Sequence, residues 1–450
     1  MTLKVPGTSD SVVLYDNDYF NSYKVLEKLG KGVNGSVWKV LTPEEEVAAL
    51  KIHKLGCAGA AYREALLLKK VHGGPHILQL RKAFTLASVC YETVDPDLCI
   101  AHKIEDRKRF AILTELLPCK DIHEMFIKNR DLREPPLLSF SQVLRIAKQA
   151  LEALDFMRSK EIIHCDLKPQ NMVYDPHSET LTIIDFGNAQ KIDELDFSEL
   201  TQPFLYRAPE CMASSSYDYS IDIWSLGISL FKLYTGDDLF WGTIVEQDKM
   251  IDRLHIMRCN LGPLSPAFLD AVPEFKKKYY KMDGSYEIYM PPSKETEVGI
   301  DYYDGIAKKK PGKSVLELRI ASAGVKRGDS ASDFAFLSAV IAPMLSYDKH
   351  RITPKAALRM FGVERTVYRN LKDREFGKKA PQNFCSEQAT IAQRQGASEN
   401  ENCEAKPTQP KTDSSSYFGI PTLHPKRKPE DEEKAIAFPT RRQTAIRRRV

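Results

Sequence analysis

Apolar and polar residues alternate along Tyr23 to Leu29 and again along Ser36 to Leu41, and Val47 to Ile52 repeats the pattern. A period of two turns one face of each segment inward, so the three predict strands of one small sheet. Over Tyr62 to Val71 the period lengthens. Leu66, Leu67 and Lys70 fall at helical spacing there, which predicts the one helix packed on that sheet. Phe110 to Leu116 is an apolar run ahead of the polar Pro118, Cys119 and Lys120, and predicts a last strand leading into a hinge. Before it, Ser88 to Lys108 is longer and more polar than a tight connection requires, and is expected to be an inserted loop.

Beyond the hinge the pattern turns helical. Val143, Ala147, Ala150, Leu154 and Met157 recur at helical spacing and predict a long amphipathic helix, while Asp222 to Tyr234 is apolar on every side, as a buried central helix is. Phe334 to Leu345 predicts a further helix. From Gly236 to about Ser332 the chain carries Lys276 to Tyr280 and Lys308 to Lys313, a stretch too polar for core that is read as an insertion. Past about Arg365, Gln, Ser, Glu, Asn, Lys and Pro replace large apolar residues, and a tail of that composition is expected to be disordered. The expected class is α+β: a leader over 1–22, a small β-rich lobe over 23–117 and a larger helical lobe over 118–362. The insertion would lie at about 237–332 and the disordered basic tail at 363–450.

Composition narrows the class. A chain of 450 residues is too long for one ordinary core, which agrees with two lobes and appendages. The best membrane-span candidate, Ile221 to Tyr234, is too short and contains Asp222 and Lys232, and Met1 to Asp10 has no apolar signal core, so neither anchor nor secretion is expected. Nine scattered cysteines with no Cys-x-x-Cys pair suit a reduced intracellular compartment rather than a disulfide framework or a zinc site. A net charge of +4 over the whole chain is too small to imply a nucleic-acid field. Its distribution matters more: Pro425 to Lys428, Arg441, Arg442 and Arg447 to Arg449 form basic clusters that suit an acidic partner such as a nuclear import receptor. Acidic Glu430 to Glu433 lies between them, so direct nucleic-acid binding is not expected.

The chemistry is concentrated in His164, Cys165, Asp166, Leu167, Lys168, Pro169, Gln170 and Asn171, followed by Asp185, Phe186 and Gly187. These supply a proton acceptor, a cation and two oxygen ligands for a metal, the inventory phosphoryl transfer needs. A lone His-x-Asp beside a proline is ordinarily a capped turn, and a lone Asp-Phe-Gly a loop tripeptide. Ordered partners decide the matter. Upstream lie Gly30, Lys31, Gly32, Val33, Asn34, Gly35, Ser36 and Val37; the Trp38, Lys39 and Val40 that follow predict strand, not the helix a dinucleotide fold would open there. Lys51 closes an apolar run, and Ala208, Pro209 and Glu210 come downstream. In that order, from about Tyr23 to about Phe361, the set resembles the eukaryotic protein kinase family.

The resemblance implies a bilobal protein kinase fold that uses ATP and Mg2+ to phosphorylate serine or threonine hydroxyls of a protein substrate. It further implies that the amides of Gly30 to Val37 fold over the phosphates, that Val37 and Ala49 cover the adenine with Val173 beneath, and that Glu115 borders the nucleotide at the hinge. Lys51 would hold the α and β phosphates, itself held by Glu64. Asp166 would accept or orient the hydroxyl proton, Lys168 would offset phosphoryl charge, and Asn171 and Asp185 would bind magnesium. Glu210 with Arg351 resembles the family's buried structural pair, and Asp222 its brace for the catalytic loop. The rival reading is a pseudokinase scaffold; such chains commonly lose the equivalents of Lys51, Asp166 or Asp185, and all three are present here.

Departures from the pattern are informative. Cys165 replaces the arginine that pairs with a phosphorylated activation loop, and the loop Asn188 to Phe204 has Ser198 and Thr201 but no tyrosine. Within the CMGC group, dual-specificity tyrosine-regulated kinases are similar in carrying cysteine here, but Leu200 stands at their activating tyrosine and Phe204 at their arginine. Asp185 to Ala189, Phe197 to Glu199, Tyr206, Arg207 and Thr235 to Asp237 resemble SR-protein kinases, which need no loop phosphorylation. The branch stays open among SR-protein, tyrosine-regulated and pre-mRNA-processing kinases. A kinase active without loop phosphorylation, and nuclear through its tail, is the expectation.

Overall fold

Six strands, β1 (Tyr19–Phe20), β2 (Tyr23–Lys31), β3 (Gly35–Leu41), β4 (Val47–His53), β5 (Leu80–Leu86) and β6 (Arg109–Thr114), form one sheet in the order β1-β2-β3-β4-β6-β5. Every neighbouring pair is antiparallel. The computed structural model describes residues 19–20, 22–32, 34–54, 56–86, 109–127, 138–197, 200–213, 216–240, 250–273, 288, 294–309, 313–348 and 351–363. The expected loop over Ser88 to Lys108 and the expected tail lie outside those residues. The period of two sets the sheet's burial: Val25, Trp38, Val40, Leu50, Ile52 and Leu113 build the small lobe's core, while Ala49 and Lys51 alternate onto the other face.

The helix α1 (Ala58–Lys70) lies between β4 and β5 in the chain and starts four residues earlier than its spacing predicts. Its inner stripe is Ala61, Glu64, Ala65 and Leu68, with Leu67 beside it. Leu66, expected inward, is 45% exposed, and Tyr62 one turn before it is exposed too. Two small alanines make the close face, and the larger residues at 62 and 66 share the opposite one.

The larger lobe opens with α2 (Phe140–Ser159), started by a reciprocal capping box between Ser139 and Gln142. Its buried stripe includes the predicted Val143, Ala147, Ala150, Leu154 and Met157. Four short strands follow, β7 (Ile162–Ile163), β8 (Met172–Asp175), β9 (Thr180–Ile183) and β10 (Gln190–Lys191), paired as β10 with β7 and β8 with β9. Then come α3 (Pro209–Met212) and α4 (Ser220–Thr235); from Ile221 to Thr235 only Lys232 escapes burial. Gly236, at φ +79°, ends α4 in the left-handed conformation that glycine adopts without strain.

Five helices complete the described lobe ahead of its last: α5 (Met250–Leu261), α6 (Pro266–Ala271), α7 (Lys294–Lys309), α8 (Val315–Arg327) and α9 (Ala331–Ile341) precede α10 (Pro354–Val363). The first four fall in the stretch read from sequence as too polar for core, and that reading is corrected. Leu254, Ile256 and Met257 of α5, Tyr303 of α7 and Leu316 and Ile320 of α8 all join the lobe's single core. The lysine runs behind that reading do not bear on this core, since Lys276 to Tyr280 lies outside the described residues and Lys308 is exposed, and the core takes in a cation of its own. Arg319 donates to the carbonyls of Leu239 and Asp238 and to Asn260 Oδ1 at 2.5, 2.8 and 3.1 Å, and its guanidinium packs on the Phe231 and Tyr303 rings. A charge so saturated with acceptors and π faces is compatible with a core that hydropathy excludes.

The lobes meet through main chain. Ile183 N donates to His76 O at 2.8 Å and Leu78 N to Ile183 O at 3.0 Å, joining the segment after α1 to β9. These links hold β4 and α1 of one lobe over the 164–188 segment of the other. Among the described residues no helix is long and apolar enough to cross a membrane.

Candidate active site

Gly30 and Lys31 end β2, Gly35, Ser36 and Val37 open β3, and Gly32 N donates to Gly35 O at 2.8 Å to close the hairpin. Asn34 sits at its tip; Val33 lies outside the described residues. Only Gly35 is dictated by space, because a Cβ there would collide with the Ile52 carbonyl on β4. A Cβ on Gly187 would come 3.3 Å from Asp185 Oδ1 and 3.9 Å from Asn34 Nδ2, so the tip of the hairpin stands over the Asp185 loop.

Below the hairpin, Lys51 on β4 donates at 2.7 Å to Glu64 Oε1 on α1 and at 2.9 Å to Asp185 Oδ1 from the other lobe. Burial works against the Lys51 ammonium, but Glu64 and then Asp185 outweigh it and hold the group above its ordinary value. Burial opposes charge on Asp185 in turn, and Lys51 overcomes it, keeping the carboxyl below its usual range. Glu64 is thus the partner that the sequence assigns to Lys51.

A second cluster forms around Asp166, which is 5% exposed. Lys168 Nζ donates to both its carboxylate oxygens, at 2.7 and 2.9 Å, and Asn171 Nδ2 donates to Oδ2 at 3.0 Å and to the Asp166 carbonyl at 2.8 Å. Asn171 therefore has its amide nitrogen engaged, with Oδ1 as its remaining side-chain acceptor. Asn188 adds a fourth bond to the carboxylate, at 3.2 Å to Oδ2, a role sequence reasoning missed. Its only signal is an amide three residues after Asp185.

The scaffold under these clusters explains the His-Cys-Asp order. His164 Nδ1 accepts from Asp166 N at 3.2 Å and Nε2 lies 3.0 Å from the Ile184 carbonyl, so the ring carries its proton on Nε2. Asp222 accepts from His164 N at 2.6 Å and Cys165 N at 3.0 Å. Burial pushes the Asp222 carboxyl up, against the lowering influence of the His164 ring and these backbone bonds. Cys165 and Asp185 both take positive φ, 62° and 63°, and non-glycine residues persist there only where surroundings over-determine them. Burial, then Asp222, pushes the Cys165 thiol well up, while the Thr201 side chain bonded to it pulls the other way. A neutral thiol therefore stands where the family has a cation.

The adenine-side residues are brought together with one refinement. Val37 pairs with Lys51, Ala49 pairs with Lys39 and Thr114, and Val173 is buried where β8 bridges to Asp121. Glu115 accepts from Gln79 N at 2.9 Å through its carboxylate, donates its N–H to Gln79 O at 3.2 Å and accepts from Thr114 Oγ1 at 3.1 Å through its carbonyl, so the second lone pair of that carbonyl is what its main chain can offer a ligand. Glu210 and Arg351 meet as a buried bidentate pair away from these groups.

Comparison with known proteins agrees with this geometry. Residues 23–288 match the protein kinase domain. The chain is 28% identical over 380 residues to dual specificity tyrosine-phosphorylation-regulated kinase 3 of Homo sapiens, a match covering 79% of this chain and 56% of that protein. It is 31% identical over 239 residues to dual specificity tyrosine-phosphorylation-regulated kinase 4 of Homo sapiens, covering 51% and 41%. To serine/threonine-protein kinase prpf4B of Dictyostelium discoideum it is 27% identical over 236 residues, covering 50% and 26%. The chain thus spans little more than half the length of the first of these relatives. With the domain match covering more than half of its own length and kinases of the tyrosine-regulated and prpf4B kinds as relatives, the chain belongs to the protein kinase family, within the CMGC group.

Proposed function

We propose that the chain transfers the γ-phosphoryl group of ATP, with magnesium, to serine and threonine hydroxyls of protein substrates, from a domain spanning 23–362. The observation that carries this reading is the opposition of two clusters, Lys51 between Glu64 and Asp185 and Asp166 among Lys168, Asn171 and Asn188. Asp185 and the Asn171 Oδ1 are hard oxygen donors of the kind magnesium takes, so the residues fit the ion. Magnesium held there would offset charge on the phosphates. The chain's own groups do the rest. Lys51 binds the α and β phosphates beneath the hairpin amides, and Val37, Ala49 and Val173 enclose the adenine, whose edge meets the Glu115 carbonyl. Asp166 orients the hydroxyl and accepts its proton, and Lys168 offsets the charge that moves with the phosphoryl group.

The same reading makes loop phosphorylation unnecessary. The loop is tied without a phosphate: Thr201 to the Cys165 thiol, Gln202 Nε2 to Ile221 O and Ser225 Oγ at 2.9 Å each, and the Arg207 guanidinium to the carbonyls of Thr201 and Gln202 at 2.7 Å. Arg207 is therefore occupied by main chain, and a phosphate is not needed to order this turn. Phosphatase-treated protein, given labelled ATP and a peptide library offering Ser, Thr and Tyr, is expected to label Ser and Thr at the untreated rate, and Asp185→Asn to label nothing. Tyrosine labelling would refute the acceptor class, loss of rate after phosphatase would refute loop independence, and equal label from the variant would refute the kinase reading in favour of a scaffold.

The basic clusters between Pro425 and Arg449 support nuclear entry through an import receptor. Deleting Pro425 to Val450 is expected to shift the protein from nucleus to cytoplasm; an unchanged distribution would remove this part of the proposal.

A further inference from the structure

β4 ends in a histidine that the transfer chemistry leaves unused. His53 is 1% exposed, in the lobe whose apolar core β4 helps to build. A polar ring buried so deeply must bond its nitrogens, and both are bonded. Nδ1 lies 3.2 Å from the Phe110 carbonyl on β6 and Nε2 3.1 Å from Glu64 Oε2 on α1. A carbonyl and a carboxylate oxygen only accept, so whichever ring nitrogen carries a proton has an acceptor in place for it.

The second observation is the shared carboxylate. Lys51 and His53 are two residues apart on one face of β4, and Lys51 donates to Oε1 of the same Glu64 whose Oε2 faces His53. One strand therefore grips both oxygens of one buried carboxylate. A single long lysine side chain would leave that carboxylate free to turn about its own axis; the second, rigid ring fixes it. The backbone of His53 pairs with Gly35, so the strand end that fixes α1 also seats the glycine hairpin.

We propose that His53 is a positioning residue of the nucleotide site: it holds Glu64, and through it Lys51, in the arrangement that receives the phosphates. The proposal rests on the reading of Lys51 as a phosphate-binding group. His53 acts through Glu64 and touches no substrate.

The test uses the full chain with His53→Leu, which removes both ring nitrogens at similar volume, and His53→Gln, which keeps an N–H able to reach Glu64. Steady-state kinetics with a peptide acceptor are expected to show KM for ATP raised about tenfold in His53→Leu, kcat changed less, and most of the loss restored in His53→Gln. Hydrogen exchange of the α1 amides, read without nucleotide, is expected to quicken in the leucine variant and return toward wild type in the glutamine one. A role in core packing alone would make leucine the milder change, so glutamine faring no better than leucine overturns the proposal. So does a KM for ATP in His53→Leu equal to that of wild type. Should the wild-type chain transfer no phosphate, the functional reading fails, and the exchange of α1 still decides His53: equal protection in all three proteins overturns it.

Discussion

Asp166→Asn is expected to lower kcat about 1,000-fold while leaving KM for ATP within about twofold. The carboxylate of Asp166 receives four hydrogen bonds from three side chains, two from Lys168 and one each from Asn171 and Asn188, and these fix its direction in a site nearly closed to solvent. Asparagine keeps the shape but replaces one acceptor oxygen with a donor, which faces donors already in place and cannot take a proton. On the proposed reading the nucleotide contacts lie on Lys51 and the hairpin, and the side-chain bonds of Asp166 go to Lys168, Asn171 and Asn188 instead. The effect therefore belongs to turnover, not to binding. Steady-state rates with ATP and a peptide acceptor check the split; a kcat within tenfold of wild type would show that Asp166 is not the acceptor.

The site was legible in the sequence where its residues are near neighbours. Asp166, Lys168 and Asn171 span a single turn of chain, so their convergence follows from spacing alone. Lys51 and Glu64 were paired across 13 residues because the segment between them holds a helix start, which returns the chain over its own strand. Asn188 and His53 escaped because nothing local announces them. Asn188 meets Asp166 from 22 residues away, and His53 breaks the alternation of β4, with Ile52 and His53 both buried, for the sake of a bond to another element. Periodicity also misplaced Leu66, since it ranks positions by hydrophobicity whereas the close approach of α1 to the sheet selects small Ala61 and Ala65. The buried arginines of α5 and α8 have no local signal in the sequence either. Arg253 donates to the Leu205 and Phe240 carbonyls and lies on the Phe204 and Phe240 rings, and hydropathy has no entry for a cation met by such partners. That contact puts a guanidinium beside Phe204, the position at which the sequence alone records only a lost arginine.

Arg351→Met is expected to destabilise the protein by about 3–5 kcal/mol, the largest loss of stability for any single substitution considered. Its guanidinium grips both oxygens of Glu210, Nη2 to Oε2 at 2.7 Å, and Nε donates to the Ser346 carbonyl at 2.7 Å while Nη1 reaches Ser220 Oγ at 3.3 Å. The group also lies 4.9 Å from the Trp224 ring, so one side chain ties α3, α4 and the segment after α9 together. Glu210 and Arg351 are 3% and 4% exposed, and methionine would leave the carboxylate buried with its bidentate partner gone. The cost is that of stranding a charge, not the net worth of the pair, and this distinction can be measured. Glu210→Leu combined with Arg351→Met removes both charges and is expected to recover more than half of the single-variant loss, because the Coulombic gain of a buried pair only roughly offsets its desolvation. Denaturant unfolding of the two single variants and the double variant checks the cycle. Losses that simply add would show that the two side chains act independently. Activity carries a second reading of the same event: α3 follows directly on Ala208, whose N–H is held by Gln202 Oε1 at 2.9 Å, so loosening Glu210 frees the turn that Gln202 and Arg207 brace. The Arg351→Met protein that remains folded should therefore turn over more slowly than its stability alone would dictate.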